Sequence, residues 1–173
     1  MPHSAEFHVL LQALIALVLG GALGWEREAA GKQVGLRTQM LVCLATMLFV
    51  RLGQTLIAQS TNIVTPAEIR ADPIHIIAAI GTGISFLGAG TIFHARGHSR
   101  GLTTAACLLV TSCIGIAVAM ELYIIAVGVT VLCLFVLHTL HRYELSVRAF
   151  ARAQGANQEA DDDDETPPKV DPS

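Results

Sequence analysis

The residues best placed to do chemistry are the run Trp25-Glu26-Arg27-Glu28, where two carboxylates flank a guanidinium. Glu26 and Glu28 offer the hard oxygen ligands that Mg²⁺ favours, and equally they can pair with Arg27, Lys32, Arg37 or Arg100. His94 and His98 stand at i,i+4 and would face one metal if the turn between them is helical. Four aspartates and a glutamate fill residues 161–165, a run that either holds divalent cations loosely or stays a solvated tail. No phosphate-loop lysine, nucleophile elbow or His-Glu-x-x-His string occurs. The chain is therefore expected to have no enzymatic activity and to need no cofactor. Its basic residues are too few and too scattered for nucleic acid.

Long apolar runs must position these groups. Stretches near 7–24, 38–57, 74–93, 102–120 and 122–140 each approach the ~20 residues that a helix needs to cross the hydrocarbon core. In lipid every backbone N–H and C=O must be satisfied within its own segment, so the runs are expected to be helices. Hydrophobic residues make up 53% and charged residues 14%, which fits that reading and excludes an ordinary soluble bundle. The expected fold is an all-α polytopic membrane protein with five spans. It comprises a membrane domain over 1–145 and a polar, acidic tail over 146–173 that should be disordered. The net charge of -3 comes from residues 161–165, and the membrane body without them is mildly basic.

Charge placement sets an expected orientation. Arg27, Lys32 and Arg37 lie between spans one and two, Arg96 and Arg100 between spans three and four, and Arg142, Arg148, Arg152 and Lys169 after span five. The other side carries only Arg70. The positive-inside rule then puts the N-terminus outside and the C-terminus in the cytoplasm. The start Met-Pro-His-Ser-Ala-Glu has no basic n-region, so no cleaved signal peptide is expected. Cys43, Cys107, Cys113 and Cys133 all fall inside spans without zinc spacing and read as small apolar fillers.

Part of the chain repeats. Gly24, Gly31, Gly35, Leu36 and Thr38 fall on Gly90, Gly97, Gly101, Leu102 and Thr104 at an offset of 66. Spans one–two and three–four thus look like parallel copies of one hairpin. Gly35 and Gly101 suit turns with φ > 0, and Thr38 or Thr104 can cap the helix that follows. Two helix N-termini side by side favour an anion, either a phosphate or carboxylate from a partner or an internal carboxylate such as Glu26 or Glu28.

Small residues mark the packing faces. Span one carries Gly20-x-x-x-Gly24. In span three Gly81, Ser85 and Gly88 share one face, and Gly83 and Gly90 lie nearly opposite. That pattern predicts a central helix gripped on both sides. The rival reading is a helix that unwinds to offer carbonyls to an ion. Asp72 can cap span three with Pro73 in its first turn, and residues 65–68 have capping-box spacing for a short outer helix. Arg51 is the charged residue placed clearly inside a span, where it snorkels or pairs with Glu68, Asp72 or Glu121, the alternative being a role in transport.

Five motifs occur in order: Gly24-Trp25-Glu26-Arg27-Glu28, Gly35-Leu36-Arg37-Thr38, Asp72-Pro73, Phe86-Leu87-Gly88-Ala89-Gly90-Thr91-Ile92, and Arg100-Gly101-Leu102-Thr103-Thr104-Ala105-Ala106. Over roughly 7–140 the chain resembles the MgtC/SapB family of bacterial inner-membrane proteins. The resemblance implies five membrane helices and a role in growth under magnesium limitation and in survival inside host cells. It also implies action on membrane machinery such as the proton-driven ATP synthase. Longer members add a cytoplasmic soluble domain after the last span. Here only the short acidic tail follows, so regulation through that domain is not expected.

The chain departs from the family pattern at His75, usually Arg, at Ala79, usually Gln, at Ser85, usually Gly, and at Leu109, a frequent Trp. Carried over by motif, the residues expected to matter are Glu26, Arg27, Glu28, Arg37, Thr38, Asp72, Gly88, Gly90 and Thr104, in structural or partner-binding roles. The expected function is a membrane regulator that engages another inner-membrane protein, and itself in self-association. The alternative is a small transporter or channel for Mg²⁺ or another ion, entered at Glu26 and Glu28.

Overall fold

Five helices and one small hairpin make up residues 3–60, 73–95 and 98–139, which the computed structural model describes. Helix α1 spans His3–Ala29, α2 Leu36–Ser60, α3 Pro73–Thr91 and α4 Leu102–Ala119. Strands β1 (Phe93–Ala95) and β2 (His98–Arg100) lie between α3 and α4. A shorter apolar helix, α5, covers Tyr123–Thr139. Helices α1 to α4 are long and apolar enough to cross a membrane, so the chain is a multi-pass, helical membrane protein. It divides into two units, Met1–Phe135 and Val136–Ser173, and only the end of α5 is described in the second. The outer helix expected near 65–68, the cap at Asp72 and the acidic tail lie outside the described residues.

Helix α1 does not stop at Gly24. Nothing breaks it until Gly31, which takes up a left-handed φ of 65°. The N–H of Gly31 then donates to the Glu28 carbonyl at 3.0 Å, and that of Lys32 to the Arg27 carbonyl at 3.0 Å. These paired bonds close the helix end. Glu26, Arg27 and Glu28 therefore stand on a helix and not in a connector, a correction to the expected boundary. Helix α4 ends in the same way, with Glu121 at φ 63° in the place where glycine is usual.

Close approach of backbones holds α1, α2 and α4 together. A Cβ on Gly20 would stand 2.7 Å from the Cys43 Cβ, and one on Gly24 would stand 2.6 Å from the Leu36 Cα. Gly115 of α4 fits equally tightly against Cys43 and Thr46 of α2. Small residues give helices this contact where lipid removes the hydrophobic drive to associate. Leu23, Met47, Leu108, Ile114 and Val118 fill the space between them.

The expectation that span three is central is overturned. Helix α3 buries only 17% of its span, against 56% for α4, which touches α1, α2 and α3. Ile80, Ile84 and Gly88 recur every fourth residue and form the buried face of α3, where a Cβ on Gly88 would stand 3.3 Å from the Ala105 Cβ. Gly81, Gly83 and Gly90 have nothing within 4 Å of their Cβ positions, and Ser85 is exposed. Two small-residue faces permit two close neighbours, but α3 rests on α4 along one face and meets α2 only lightly, where Ile76 lies against Gly53.

Span three also ends earlier than expected, at Thr91. The chain then forms an antiparallel hairpin that pairs His94 with Ser99 and Ala95 with His98. The helical turn that would bring His94 and His98 to one metal is not there.

Candidate functional site

Arg27 is the centre of the site. It lies one turn beyond Gly24 on the same flank of α1, the flank that meets α2. It is 2% exposed. Its Nη2 donates to the Thr104 hydroxyl on α4 at 2.8 Å, while its Nε–H has no partner. Among the described residues no carboxylate lies within ion-pair distance of it. The sequence placed Arg27 among exposed connector charges and kept the intramembrane role for Arg51. The structure reverses this: Arg51 is 26% exposed and reaches the Glu121 carboxylate at 3.8 Å and Gln54 Oε1 at 3.5 Å.

The neighbours of Arg27 have separate tasks. Glu28 is exposed and accepts the Leu36 N–H, the first of α2, at 2.8 Å. Its carboxylate thus satisfies the positive end of α2. A Cβ on Gly35 would lie 2.8 Å from Glu28 Oε2 and push against this cap, whereas the positive φ belongs to Gly31 and Gly101. Glu26 keeps Oε2 buried without a partner.

Thr104 is not a cap. Helix α4 starts after Gly101, at φ 94°, with no side-chain cap, and the Thr104 hydroxyl turns to Arg27. Arg37 and Thr38 are exposed, and Asp72 lies outside the described residues.

Two further polar ties escaped the sequence reading. Gln39 on α2 is fully buried, and its Oε1 accepts the Thr111 hydroxyl of α4 at 2.5 Å. Gln12 on α1 is equally buried and donates to the Tyr123 hydroxyl of α5 at 3.3 Å. In each amide the other end has no partner. The available signal was an uncharged polar residue inside an apolar span, which a search for charges passes over. Cys43 and Cys107 are buried, Cys133 is part-buried and Cys113 exposed; all four are free thiols.

Beside this core an apolar groove of about 1020 Å³ opens between α2 and α3. Leu41, Phe49 and Gly53 line one wall, and His75, Ala79 and Gly83 the other. The arrangement can accept an apolar surface along α3.

Comparison with known proteins places the chain. The sequence model of the MgtC family matches residues 13–145. The Escherichia coli (strain K12) protein named "Putative magnesium transporter YhiD" is 33% identical over 139 residues, 80% of this chain and 62% of that protein. Protein MgtC of Salmonella typhimurium is 33% identical over 128 residues, 74% of this chain and 50% of that protein. Protein MgtC of Brucella abortus is 36% identical over 101 residues, 58% of this chain and 38% of that protein. The chain thus spans less than two thirds of the length of these relatives. No solved structure matches it.

Proposed function

The chain belongs to the MgtC family, and on that premise we propose that it is a non-enzymatic inner-membrane protein that modulates another membrane protein. Adaptation to low magnesium or host-associated stress is its setting, and ATP synthase is the machinery the family resemblance suggests. The same surface serves self-association. The orientation, with the N-terminus outside, and the parallel hairpin repeat belong to this reading. The Arg27–Thr104 bond supports the repeat, because it puts the end of α1 and the start of α4 on one side, as two parallel hairpins would.

The observation that carries the reading is the open flank of α3. Gly83 and Gly90 meet nothing, and Phe86 beside them is 79% exposed. Gly20, Gly24, Gly88 and Gly115 already press against helices of this chain. A stretch of small residues facing lipid is what a second transmembrane helix needs in order to approach.

Complementation of low-magnesium growth tests it. Gly83→Leu and Gly90→Leu fill open space, so they should leave the fold intact and abolish growth rescue. Full rescue by both would sink the reading. The name of the Escherichia coli relative raises magnesium transport instead. Mg²⁺ flux in proteoliposomes that Glu26→Gln abolishes would replace the regulator with a transporter.

A further inference from the structure

Helix α5 meets the bundle along one narrow face. Tyr123, Ala126, Thr130 and Cys133 follow one another at helical spacing and so share a single flank. Ala126 and Thr130 are buried, while Ile124, Ile125, Val131 and Leu132 around them are exposed. At one end of this flank the Tyr123 hydroxyl accepts the Gln12 amide of α1 at 3.3 Å. At the other end the Cys133 thiol is hydrogen-bonded to the Cys107 thiol of α4. Cys107 is 4% exposed and Cys133 is part-buried, and both are free thiols.

The surroundings of this pair differ from those of the other two cysteines. Thr104 stands one turn before Cys107 on the buried flank of α4 and holds the Arg27 guanidinium at 2.8 Å. Arg27 and Glu26 both lie close enough to act electrostatically on the two sulfurs. Cysteines react as thiolates, and a neighbouring guanidinium is a setting in which reactive ones occur. Cys43 instead lies against Gly20, and Cys113 is exposed on α4. At Cys107 and Cys133 two thiols touch beside a buried cation. One sulfur can attack an oxidant and the other can resolve the product.

We propose that Cys107 and Cys133 are a redox-active dithiol that closes into a disulfide between α4 and α5. The oxidant is hydrogen peroxide, a small uncharged molecule that enters beside the part-buried Cys133. The Cys107 sulfur attacks one peroxide oxygen, the O–O bond breaks, and the thiol proton leaves with the other oxygen as water. The Cys133 sulfur then attacks the sulfenic acid on Cys107. The S–O bond breaks, the S–S bond forms, and the hydroxyl departs with the Cys133 proton as a second water. The two thiols have lost two electrons and the peroxide has gained them. A dithiol reductant restores both thiols by exchange. Closure pins α5 covalently to the central helix α4. The site does not depend on the partner reading, and its test is separate from growth.

Purified full-length protein in detergent is reduced, freed of reductant and exposed to hydrogen peroxide. It is then denatured, alkylated and mapped by peptide mass spectrometry. The expected product is a pair of peptides joined through Cys107 and Cys133 in a chain that still migrates as a monomer. Dithiothreitol should return both to alkylated thiols, and Cys43 and Cys113 should stay alkylated throughout. The map is read on the unaltered chain, so the answer does not hang on a variant that folds. Cys133→Ala should stop the reaction at a sulfenic acid on Cys107, trapped by dimedone. Cys107→Ala should leave Cys133 a free thiol at the same peroxide concentration. Alkylation of both Cys107 and Cys133 after peroxide would overturn the proposal. So would a disulfide made through Cys43 or Cys113, or between two chains, in place of this one.

Discussion

Arg27 and Thr104 are joined by a 2.8 Å hydrogen bond across 77 positions of sequence, and this bond ties the end of α1 to the start of the central helix α4. It is a charge-assisted bond between buried groups, so losing one partner matters more than losing both. Thr104→Val leaves Nη2 buried and unsatisfied and should cost about 1–3 kcal/mol. Arg27→Met combined with Thr104→Val should cost less than the sum of the two single changes. Thermal unfolding in detergent as a double-mutant cycle checks this, and strict additivity would refute the coupling.

The glycines should sort by what faces them. Gly20→Ala and Gly24→Ala press a methyl into α2 and should each destabilise by about 1–3 kcal/mol. Gly81→Ala and Gly90→Ala enter open space and should be neutral, or gain up to about 1 kcal/mol from helix propensity. Melting temperatures of the four variants give the answer. Equal effects in both pairs would contradict the packing described above.

Gln39 and Thr111 make the second tie to α4. Thr111→Val strands the whole buried amide and should cost about 1–3 kcal/mol. Adding Gln39→Met removes the stranded group and should restore most of that loss. Unfolding midpoints of the single and double variants measure it, and no recovery in the double variant would count against the bond.

Glu121 holds a left-handed φ of 63° while reaching Arg51. Glu121→Gly and Glu121→Ala both lose the ion pair, so their difference isolates backbone strain. The glycine variant should be the more stable by about 1 kcal/mol. Equal stabilities would show that the turn stores no such strain.

Much of this arrangement is legible in the chain alone, and the misreadings have physical causes. The first four spans read correctly because an unbroken apolar run can only be a helix in lipid, while the fifth run forms the shorter helix α5. The end of α1 did not, because Glu26, Arg27 and Glu28 break the hydropathy while leaving the helix intact up to Gly31. The burial of Arg27 depends on α4, which lies 77 positions away, and no local pattern reports it. Span three appeared central because its glycines suit contact on two sides, yet α4 takes that place through Gly115 and the buried Thr104 and Thr111. His75 and Ala79, two departures from the family pattern, line the apolar groove between α2 and α3.

The central claim is that a partner helix sits along the open flank of α3, and site-specific photo-cross-linking in living cells tests it most directly. A photoreactive side chain replaces Phe86 on that flank or, as control, Ile124 on α5, which is 91% exposed. The account expects one discrete membrane-protein adduct from position 86, lost when Gly90→Leu is added, and none from position 124. No adduct at 86, or the same adducts at both positions, would contradict it.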